Sequence, residues 1–527
     1  MYQALQLKDL IVGKIDAKNE LIENTDQEKE RFFDSFLIPE NIIVEEYCEG
    51  RRYYITGLKG TGKTALLRYI ALEAEKKLKA NTVFVLFKSD FSDEDKAAFS
   101  RAANTFLAIN DAGQHDEEDF ENIWQWFFHR QIVMISKNNK NMFFNDDINW
   151  QKYVSCVTAP KLENEKSNII SLLPKLKRGN VEITANIADI QGKLGMEFEW
   201  DNENSKQLKF SKLIKQTNDL FIKLRPTNNR LYIFIDELEL SLGKTKSFKK
   251  DIHLIRDLIL AVHNINIISR QFHYPLYFIT AIRSEVITAV QSSGKEINKP
   301  ISDFGMSVKW QQSGGNPSTH PLIKIINKKI QATEKYLSFQ NISSDEEIWQ
   351  KYFPEKIDIY TAPDYILRRT WYRPRDIVRI LNIAQQHFPN EKIFSQQVFD
   401  TINKEYSAQS WVELAEELKT TYSEDEVGGI KKLLTSLQSP FTYSEIVQIA
   451  TRKRELYSEL DALLNKYKMG DILSVLYRVG IIGNTGERIR YSFRGDDELV
   501  IEERMKIHDP LWNFFSIKRQ SKGAIRT

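Results

Sequence analysis

The amino-acid sequence predicts an α/β protein in which a parallel sheet with helices on both faces is followed by a helical lid and a C-terminal winged-helix-like domain. The first observation is a series of short, continuous apolar runs, as buried parallel strands have. These runs lie at 53–56, 81–87, 231–240 and 275–285. The second is that helical patterns separate the runs, which favours parallel pairing with helices on both faces. The third is that helices dominate after Pro321, until two short strand patterns at 480–495 indicate the wing.

The length of the chain predicts several domains. With 527 residues, of which 42% are hydrophobic, the chain is too long for a single core. The expected segments are a helical lead-in at 1–50, a sheet domain at 51–317, a lid at 318–405 and a winged-helix-like domain at 406–527. A helical and hairpin insertion is predicted at about 91–230, with the hairpin at 181–200 around Gly192.

Charge and cysteine content exclude several classes of protein. The 74 basic and 72 acidic residues give a net charge of +2, so any nucleic-acid site must be a local patch. Cys48 and Cys156 are far apart and form no C-x-x-C pair, which fits a reducing cytoplasm and argues against a zinc site or a disulfide framework. The N-terminus lacks a signal-peptide pattern and the sequence shows no stretch of about 18 apolar residues, so we expect a cytoplasmic protein without a membrane partner.

The segment GLKGTGKT at 57–64 lies between the first strand and a helix. It fits G-x-x-x-x-G-K-[ST], the P-loop pattern, in which glycines let successive N–H groups point into one concavity and the helix adds its positive dipole end. Lys63 would contact the β- and γ-phosphates of ATP, and the Thr64 hydroxyl would hold Mg²⁺. The alternative is a glycine-rich turn without a ligand. The predicted nucleotide-binding residues of this segment are Gly57, Lys59, Gly60, Thr61, Gly62, Lys63 and Thr64.

Two carboxylates follow the apolar run Leu231-Tyr232-Ile233-Phe234-Ile235. Placing Asp236 and Glu237 at the end of a buried strand costs free energy unless the carboxylates bind a ligand or take part in a reaction. In an open α/β sheet, the ligand binds at the carboxyl edge of the strands, where this pair is expected. Asp236 would hold Mg²⁺ through water, and Glu237 would act as the general base on the attacking water. The alternative is a strand that runs into a solvated acidic turn.

The strand at 275–285 offers a residue that could contact the γ-phosphate. A polar side chain at its end would lie beside Asp236, and both Thr280 and Arg283 are candidates. Arg283 is favoured because a fixed cation can detect whether the third phosphate is present. The alternative is a surface ion pair between Arg283 and Glu285.

A second candidate site consists of two arginines at the start of a helix predicted from residue 374. Arg373 and Arg375 lie at the helix start, where two cations oppose the dipole and therefore indicate a nearby anion, such as a nucleotide phosphate. The alternative is that these arginines pair with Asp376 or with acidic residues elsewhere.

In this order, the motifs resemble those of AAA+-related P-loop ATPases, which include the origin-recognition/Cdc6 group and the STAND signalling NTPases. The chain is still more similar to bacterial P-loop ATPases of the FunZ-like type, whose lead-in matches residues 9–21. The resemblance implies that Lys63 and Thr64 contact nucleotide and Mg²⁺, and that Asp236 and Glu237 are the metal-associated and catalytic acids. It also implies that Arg283 is the first sensor of the bound nucleotide and that Arg375, with Arg373, is the second.

The chain departs from these relatives in two respects. It lacks the repeat array of STAND proteins. An arginine finger, if one is present, has only Arg256 and Arg270 as candidates.

Two hypotheses for the function follow. The first is an ATPase that converts ATP and water to ADP and phosphate and acts as a switch or motor, in bacterial antiviral defence or in DNA transactions. The alternative is a nucleotide-gated interaction scaffold with little intrinsic hydrolysis. An attached nuclease is not supported, because Glu197 and Glu199 are followed by no lysine at the spacing that E-x-K requires.

The expected partner is an unidentified protein or a second copy of this chain, and double-stranded DNA is a further candidate through 406–527. The DNA hypothesis depends on a recognition helix at 469–480 and on wing cations at Arg488, Arg490 and Arg494.

Overall fold

The computed structural model describes residues 4–87, 120–138, 142–160, 176–177, 180–182, 207–238, 245–291, 294–311, 315–339, 341–496 and 498–519. The predicted hairpin turn at Gly192 lies outside these residues. The chain divides into two compact units. The sheet unit comprises Asn41–Leu58 and Leu66–Val308, and the helical unit comprises Met1–Glu40, Lys59–Ala65 and Lys309–Thr527.

The helices are numbered here in chain order. They are α1 (Asp26–Ser35), α2 (Val44–Cys48), α3 (Lys63–Leu78), α4 (Glu121–Asn138), α5 (Ile148–Thr158), α6 (Phe210–Phe221), α7 (Thr245–Gln271), α8 (Ser284–Gln291), α9 (Asn298–Phe304), α10 (Pro321–Tyr336), α11 (Asp345–Tyr352), α12 (Ala362–Arg368), α13 (Pro374–His387), α14 (Gln396–Leu418), α15 (Glu424–Leu434), α16 (Tyr443–Arg454), α17 (Ser458–Lys466), α18 (Met469–Val479) and α19 (Trp512–Phe515).

The strands are numbered in the same way. They are β1 (Tyr54–Gly57), β2 (Asn81–Leu86), β3 (Leu176–Lys177), β4 (Asn180–Glu182), β5 (Gln207–Lys209), β6 (Leu231–Leu238), β7 (Leu276–Arg283), β8 (Gly305–Ser307), β9 (Lys356–Ile357), β10 (Tyr360–Thr361), β11 (Gln438–Ser439), β12 (Ile482–Thr485), β13 (Ile489–Arg490), β14 (Met505–Ile507) and β15 (Lys518–Arg519).

The sheet unit contains a parallel sheet of five strands in the order β2-β6-β7-β1-β8. The predicted α/β class is therefore confirmed, and β1, β2, β6 and β7 lie at the four apolar runs that predicted strands. The apolar run of β6 is buried because β6 lies inside the sheet, between β2 and β7. Helix α7 is fixed to β7 by Asn266, whose side chain donates to the carbonyl of Phe278 at 2.8 Å and accepts from its N–H at 3.0 Å.

One segment of α7, Asp251–Gln271, is long and apolar enough to cross a membrane. Of its most apolar window, 67% is buried inside the protein. Packing against β7 and α4 accounts for this apolar character, as in the core helix of a globular domain. The prediction of a protein without a membrane partner stays a prediction.

The helical unit ends in a group of helices and a small antiparallel sheet. Helices α15 to α18 are followed by an antiparallel sheet in the order β13-β12-β14. The apolar positions of α18 pack into the core, and Gly480, with φ of 84°, ends this helix in the left-handed region that glycine favours. The short strands β12 and β13 occupy the segment in which two strands were predicted.

Candidate functional site

The acidic pair lies at the carboxyl edge of the parallel sheet. Asp236, with 4% of its surface exposed, follows Ile235 in β6 and is opposite Leu86 of β2. On the other side of β6, β7 separates it from β1, and the last residue of β1, Gly57, is opposite Arg283. Parallel strands end at one edge, so the sheet unit places Gly57, Asp236, Glu237 and Arg283 along the same edge.

The backbone at Glu237 is irregular. Its φ is +60°, in the left-handed region, and the register between β6 and β7 shifts between Ile235 and Leu238. A residue other than glycine in this region costs of order 1–3 kcal/mol, and such strain concentrates at functional sites. A bulge also re-aims the side chain at the irregular position. The strand is therefore distorted at the predicted catalytic base, while Asp236 before it keeps regular pairing with β2.

Side chains alternate between the two faces of a strand, so only one of the two candidates on β7, Thr280 and Arg283, can share a face with Asp236. Thr280 is opposite Ile235, so these two side chains project from one face and Asp236 from the other. Arg283 lies three residues after Thr280 and therefore on the face of Asp236. The Thr280 hydroxyl is buried and has no hydrogen-bond partner among the described residues. The geometry thus favours Arg283 over Thr280, and the guanidinium of Arg283 is 3.9 Å from the Glu285 carboxylate.

The glycine-rich loop has the backbone that its sequence requires. Gly60 and Gly62 have φ of +81° and +92°, and helix α3 begins at Lys63 immediately afterwards. The side chain of Lys63 is buried, with 8% of the residue exposed. Within the helical unit, the indole N–H of Trp310 donates to the Thr61 carbonyl at 2.8 Å and so fixes the loop from one side.

The segment with Arg373 and Arg375 packs directly against this loop, within the helical unit. The backbone N–H of Arg375 approaches the Gly60 carbonyl at 3.4 Å. A Cβ at Gly60 would lie 3.3 Å from Cδ of Arg373 and 3.4 Å from Cβ of Arg375. The close approach leaves no room for a larger residue at position 60 without a shift of its neighbours. The structure therefore brings the second arginine pair to the P-loop.

Both arginines also have acidic partners on α14. Arg373 donates from Nη1 to Oε1 of Glu417 at 2.7 Å, and Arg375 donates from Nη1 to Oε1 of Glu413 at 2.6 Å. Arg379 contacts the second oxygen of Glu413. Burial lowers the pKa of the Arg375 guanidinium, whereas the charge of Asp16 acts in the opposite direction. Of the two acidic pairings considered for these arginines, the structure shows the one with acidic residues elsewhere. Asp376 instead accepts a hydrogen bond from the backbone N–H of Trp371 at 2.8 Å.

Three residues of this site were missed by the sequence reasoning: Trp310, Glu413 and Glu417. The spacing of Glu413 and Glu417 places both acids on one face of α14, which is a usable signal. The sequence gives no indication that this face meets α13, because that contact depends on how the two helices pack.

The donor set suits Mg²⁺. A threonine hydroxyl at 64 and a carboxylate at 236 are hard oxygen ligands of the kind that Mg²⁺ prefers, usually together with water and substrate phosphates. That Thr64, of the helical unit, and Asp236, of the sheet unit, hold the ion stays a prediction.

The two arginine-finger candidates differ in exposure. Arg256 is completely buried in α7 and donates from Nε to Oδ1 of Asp257 at 2.8 Å. A side chain enclosed in the core cannot reach another subunit, so Arg256 is removed from the candidates. Arg270, near the end of the same helix, is exposed.

The wing cations are engaged within the helical unit. Arg488 pairs with Asp496 at 2.8 Å, and Arg490 pairs with Glu503 at 2.6 Å. The guanidinium of Arg494 lies 5.1 Å from the ring centre of Tyr372. Of these three side chains, Arg488 is the most available, since 77% of its side-chain surface is exposed.

The comparisons with known proteins single out one segment. Residues 320–415 match the FunZ-associated C-terminal helical domain. This match confirms the FunZ-like resemblance for that segment. The matched FunZ-associated domain contains Arg373, Arg375 and Glu413, and it ends two residues before Glu417.

Among solved structures, the chain is similar to the crystal structure of Cdc6p from Pyrobaculum aerophilum, with 12% identity and a TM-score of 0.32 over 93% of this chain and 96% of that chain. No curated protein matches the chain.

Proposed function

We propose that this chain binds ATP with Mg²⁺ and hydrolyses it to ADP and phosphate. The observation that carries the proposal is the left-handed Glu237, which follows a buried aspartate at the carboxyl edge of the sheet. Backbone strain of this kind concentrates at functional sites, and here it coincides with a shift in the β6–β7 register directly after Asp236. The P-loop pattern at 57–64 supplies the phosphate contacts that such an acidic pair requires.

The residues have distinct roles in this reaction. The N–H groups of the loop and the start of α3 would bind the phosphates, and Lys63 would contact the β- and γ-phosphates. Glu237 would accept a proton from water as the water oxygen forms a bond to the γ-phosphorus and the bond to the β–γ bridging oxygen breaks. The proton then passes to the released phosphate. Mg²⁺, when bound, would neutralise charge on the β- and γ-phosphates.

Phosphate release from ATP by the full chain, with Mg²⁺ and with EDTA, tests the proposed activity. We expect Mg²⁺-dependent release that is absent in EDTA. Tight binding of ATP without release in either condition would favour the interaction scaffold with little hydrolysis, and absence of both binding and release would refute the proposed function.

We propose further that the protein works as a switch. Arg373 and Arg375 contact the loop and are bonded to Glu417 and Glu413, so a γ-phosphate would compete with two carboxylates for the same guanidinium groups. Two mutually exclusive sets of partners are what a ligand needs to shift a conformational equilibrium. Light scattering with ATP and with ADP separates the alternatives, since a stable monomer or dimer fits a switch and an ATP-dependent ring or filament fits a motor.

Replacement of Arg375 by alanine is expected to leave ADP binding nearly unchanged and to abolish the additional protection that ATP gives to α13. The reason is that the Arg375 side chain would exchange Glu413 for the third phosphate, which ADP lacks. Hydrogen exchange read by mass spectrometry, with each nucleotide, measures this. Arg368→Ala is the matched control, because that arginine is bonded to Asp364 at 3.0 Å on α12. Equal ATP-induced protection in Arg375→Ala and wild type would remove the role, and Arg373 would be tested next.

The wing arginines yield a prediction about duplex DNA. The triple replacement of Arg488, Arg490 and Arg494 by alanine is expected to lower the slope of log affinity against log salt concentration by about one unit, because one phosphate contact is lost. A decrease of about three units, one for each arginine, is not expected. Arg490 is paired at 2.6 Å and Arg494 lies over an aromatic ring, which leaves Arg488 as the available contact. Titration of the full chain with a short duplex at several salt concentrations, with ATP present, measures the slope. A loss of three units would show that these contacts open on DNA.

The biological process is proposed from resemblance alone. The match of residues 320–415 to the FunZ-associated domain connects this chain to FunZ-like proteins. For this chain we propose a cytoplasmic role in bacterial defence, with an unidentified protein or a second copy of the chain as partner. A pull-down with Glu237→Gln, held in its ATP state, would identify that partner. Recovery of the same proteins with Lys63→Ala would argue against a nucleotide-dependent partner.

A further inference from the structure

Arg68, on α3, has an unusual environment in the sheet unit. Its guanidinium carbon lies 3.7 Å from the ring centre of Phe84 on β2. Phe84 in turn stacks on Phe234 of β6, with ring centres 4.9 Å apart and ring planes 17° apart. The stacking fixes the guanidinium plane above this part of the sheet.

The stacked rings lie two residues before the acidic pair in the β2–β6 register. Phe84 is opposite Phe234 in the β2–β6 register, and Leu86 is opposite Asp236. Side chains two residues apart on a strand share a face, so Asp236 follows Phe234 about 7 Å farther along the same face. The cation above Phe84 therefore stands on the face from which Asp236 projects.

Charge is consistent with this placement. Burial lowers the pKa of the Arg68 guanidinium, and the carboxylates of Asp236 and Glu237 act in the opposite direction. The Nε atom of Arg68 is buried without a hydrogen-bond partner among the described residues. Keeping a guanidinium half-buried is costly unless an anion is near, and stacking on a ring alone compensates only part of that cost.

We propose that Arg68 is a positioning residue: its charge, on the face from which Asp236 projects, stabilises the acidic pair and so keeps Glu237 in place in the distorted segment of β6 before a nucleotide binds. Its charge offsets the repulsion between two adjacent carboxylates at one strand end. The inference rests on the proposed function for its catalytic meaning, but the charge coupling itself exists without nucleotide and can be measured without turnover.

A double-mutant cycle in the absence of nucleotide tests the coupling. Apparent unfolding midpoints are measured for wild type, Arg68→Met, Glu237→Gln and the double variant. We expect the shift caused by Glu237→Gln to differ by about 2 °C or more between the two backgrounds, because the carboxylate is favourable beside Arg68 and unfavourable beside Asp236 alone. Arg68→Lys, which keeps the charge, should retain at least half of this difference.

Arg130→Met provides the matched control. Arg130 is also half-buried, burial also lowers its pKa, and its Nη1 donates to the Val157 carbonyl at 3.1 Å in the same unit. We expect its effect to be additive with that of Glu237→Gln. Additive effects for Arg68→Met as well, or equal coupling for both arginines, would overturn the proposal.

Steady-state kinetics provide the second test. Arg68→Met is expected to lower kcat about tenfold or more, with KM for ATP close to that of wild type, because a displaced base slows the chemical step without removing a phosphate contact. Arg68→Lys should recover part of kcat. An unchanged kcat would contradict the positioning role. If wild type cleaves no ATP, the proposed function fails, and the double-mutant cycle still decides whether Arg68 and Glu237 are coupled.

Discussion

Replacement of Glu237 by glutamine is expected to lower ATP turnover about 10²–10⁴-fold, which is the usual contribution of a general base, and to leave ATP binding intact. Glutamine keeps the shape of the side chain and loses the negative charge that accepts the proton. Glutamine has the same backbone requirements as glutamate at the left-handed position 237, so the effect should come from chemistry and not from unfolding.

Phosphate release and ATP binding, measured side by side on wild type and Glu237→Gln, check this expectation. Glu296→Gln is the control, because Glu296 is an exposed acid of the same unit that pairs with Lys299 at 3.0 Å. Unchanged turnover in a preparation free of contaminating ATPase would mean that the catalytic acid lies elsewhere.

Replacement of Lys63 by alanine is expected to weaken ATP binding about 10–100-fold, since a hydrogen bond to a charged group contributes about 1.5–3 kcal/mol. Lys63 is the first residue of α3 and follows the left-handed Gly62 directly. Water cannot replace its ammonium group at the β- and γ-phosphates without loss of affinity.

Titration with a fluorescent ATP analogue measures this loss, and circular dichroism confirms that the variant is folded. Lys77→Ala is the matched control, because Lys77 lies near the other end of the same helix and pairs with Glu73 at 2.8 Å. Equal affinity of Lys63→Ala and wild type for the analogue would show that residues 57–64 do not bind the phosphates.

The sequence was sufficient to predict the elements whose signals are local. The apolar runs that became β1, β2, β6 and β7 follow from burial on both faces, which leaves a continuous hydrophobic pattern in the chain. The positive φ values at Gly60 and Gly62 follow from the P-loop pattern itself.

Features that depend on packing could not be predicted. The left-handed Glu237 accompanies a register shift between β6 and β7, and no residue type in the sequence marks that shift. The pairing of Arg375 with Glu413 joins residues 38 positions apart, and the engagement of Arg490 by Glu503 depends on how the C-terminal sheet folds. The division into units also cuts across chain order, since Lys59–Ala65 belongs to the helical unit although β1 before it belongs to the sheet unit.

We propose that residues 57–64 and the acidic pair Asp236–Glu237 serve one reaction, the hydrolysis of bound ATP. A single-turnover experiment with the full chain in excess over radiolabelled Mg-ATP tests it most directly. Wild type is predicted to convert the bound ATP to ADP and phosphate, Glu237→Gln to retain the bound ATP uncleaved, and Lys63→Ala to leave most of the ATP free. Wild-type protein that binds ATP and releases it intact, or equal conversion by all three proteins, would contradict this proposal.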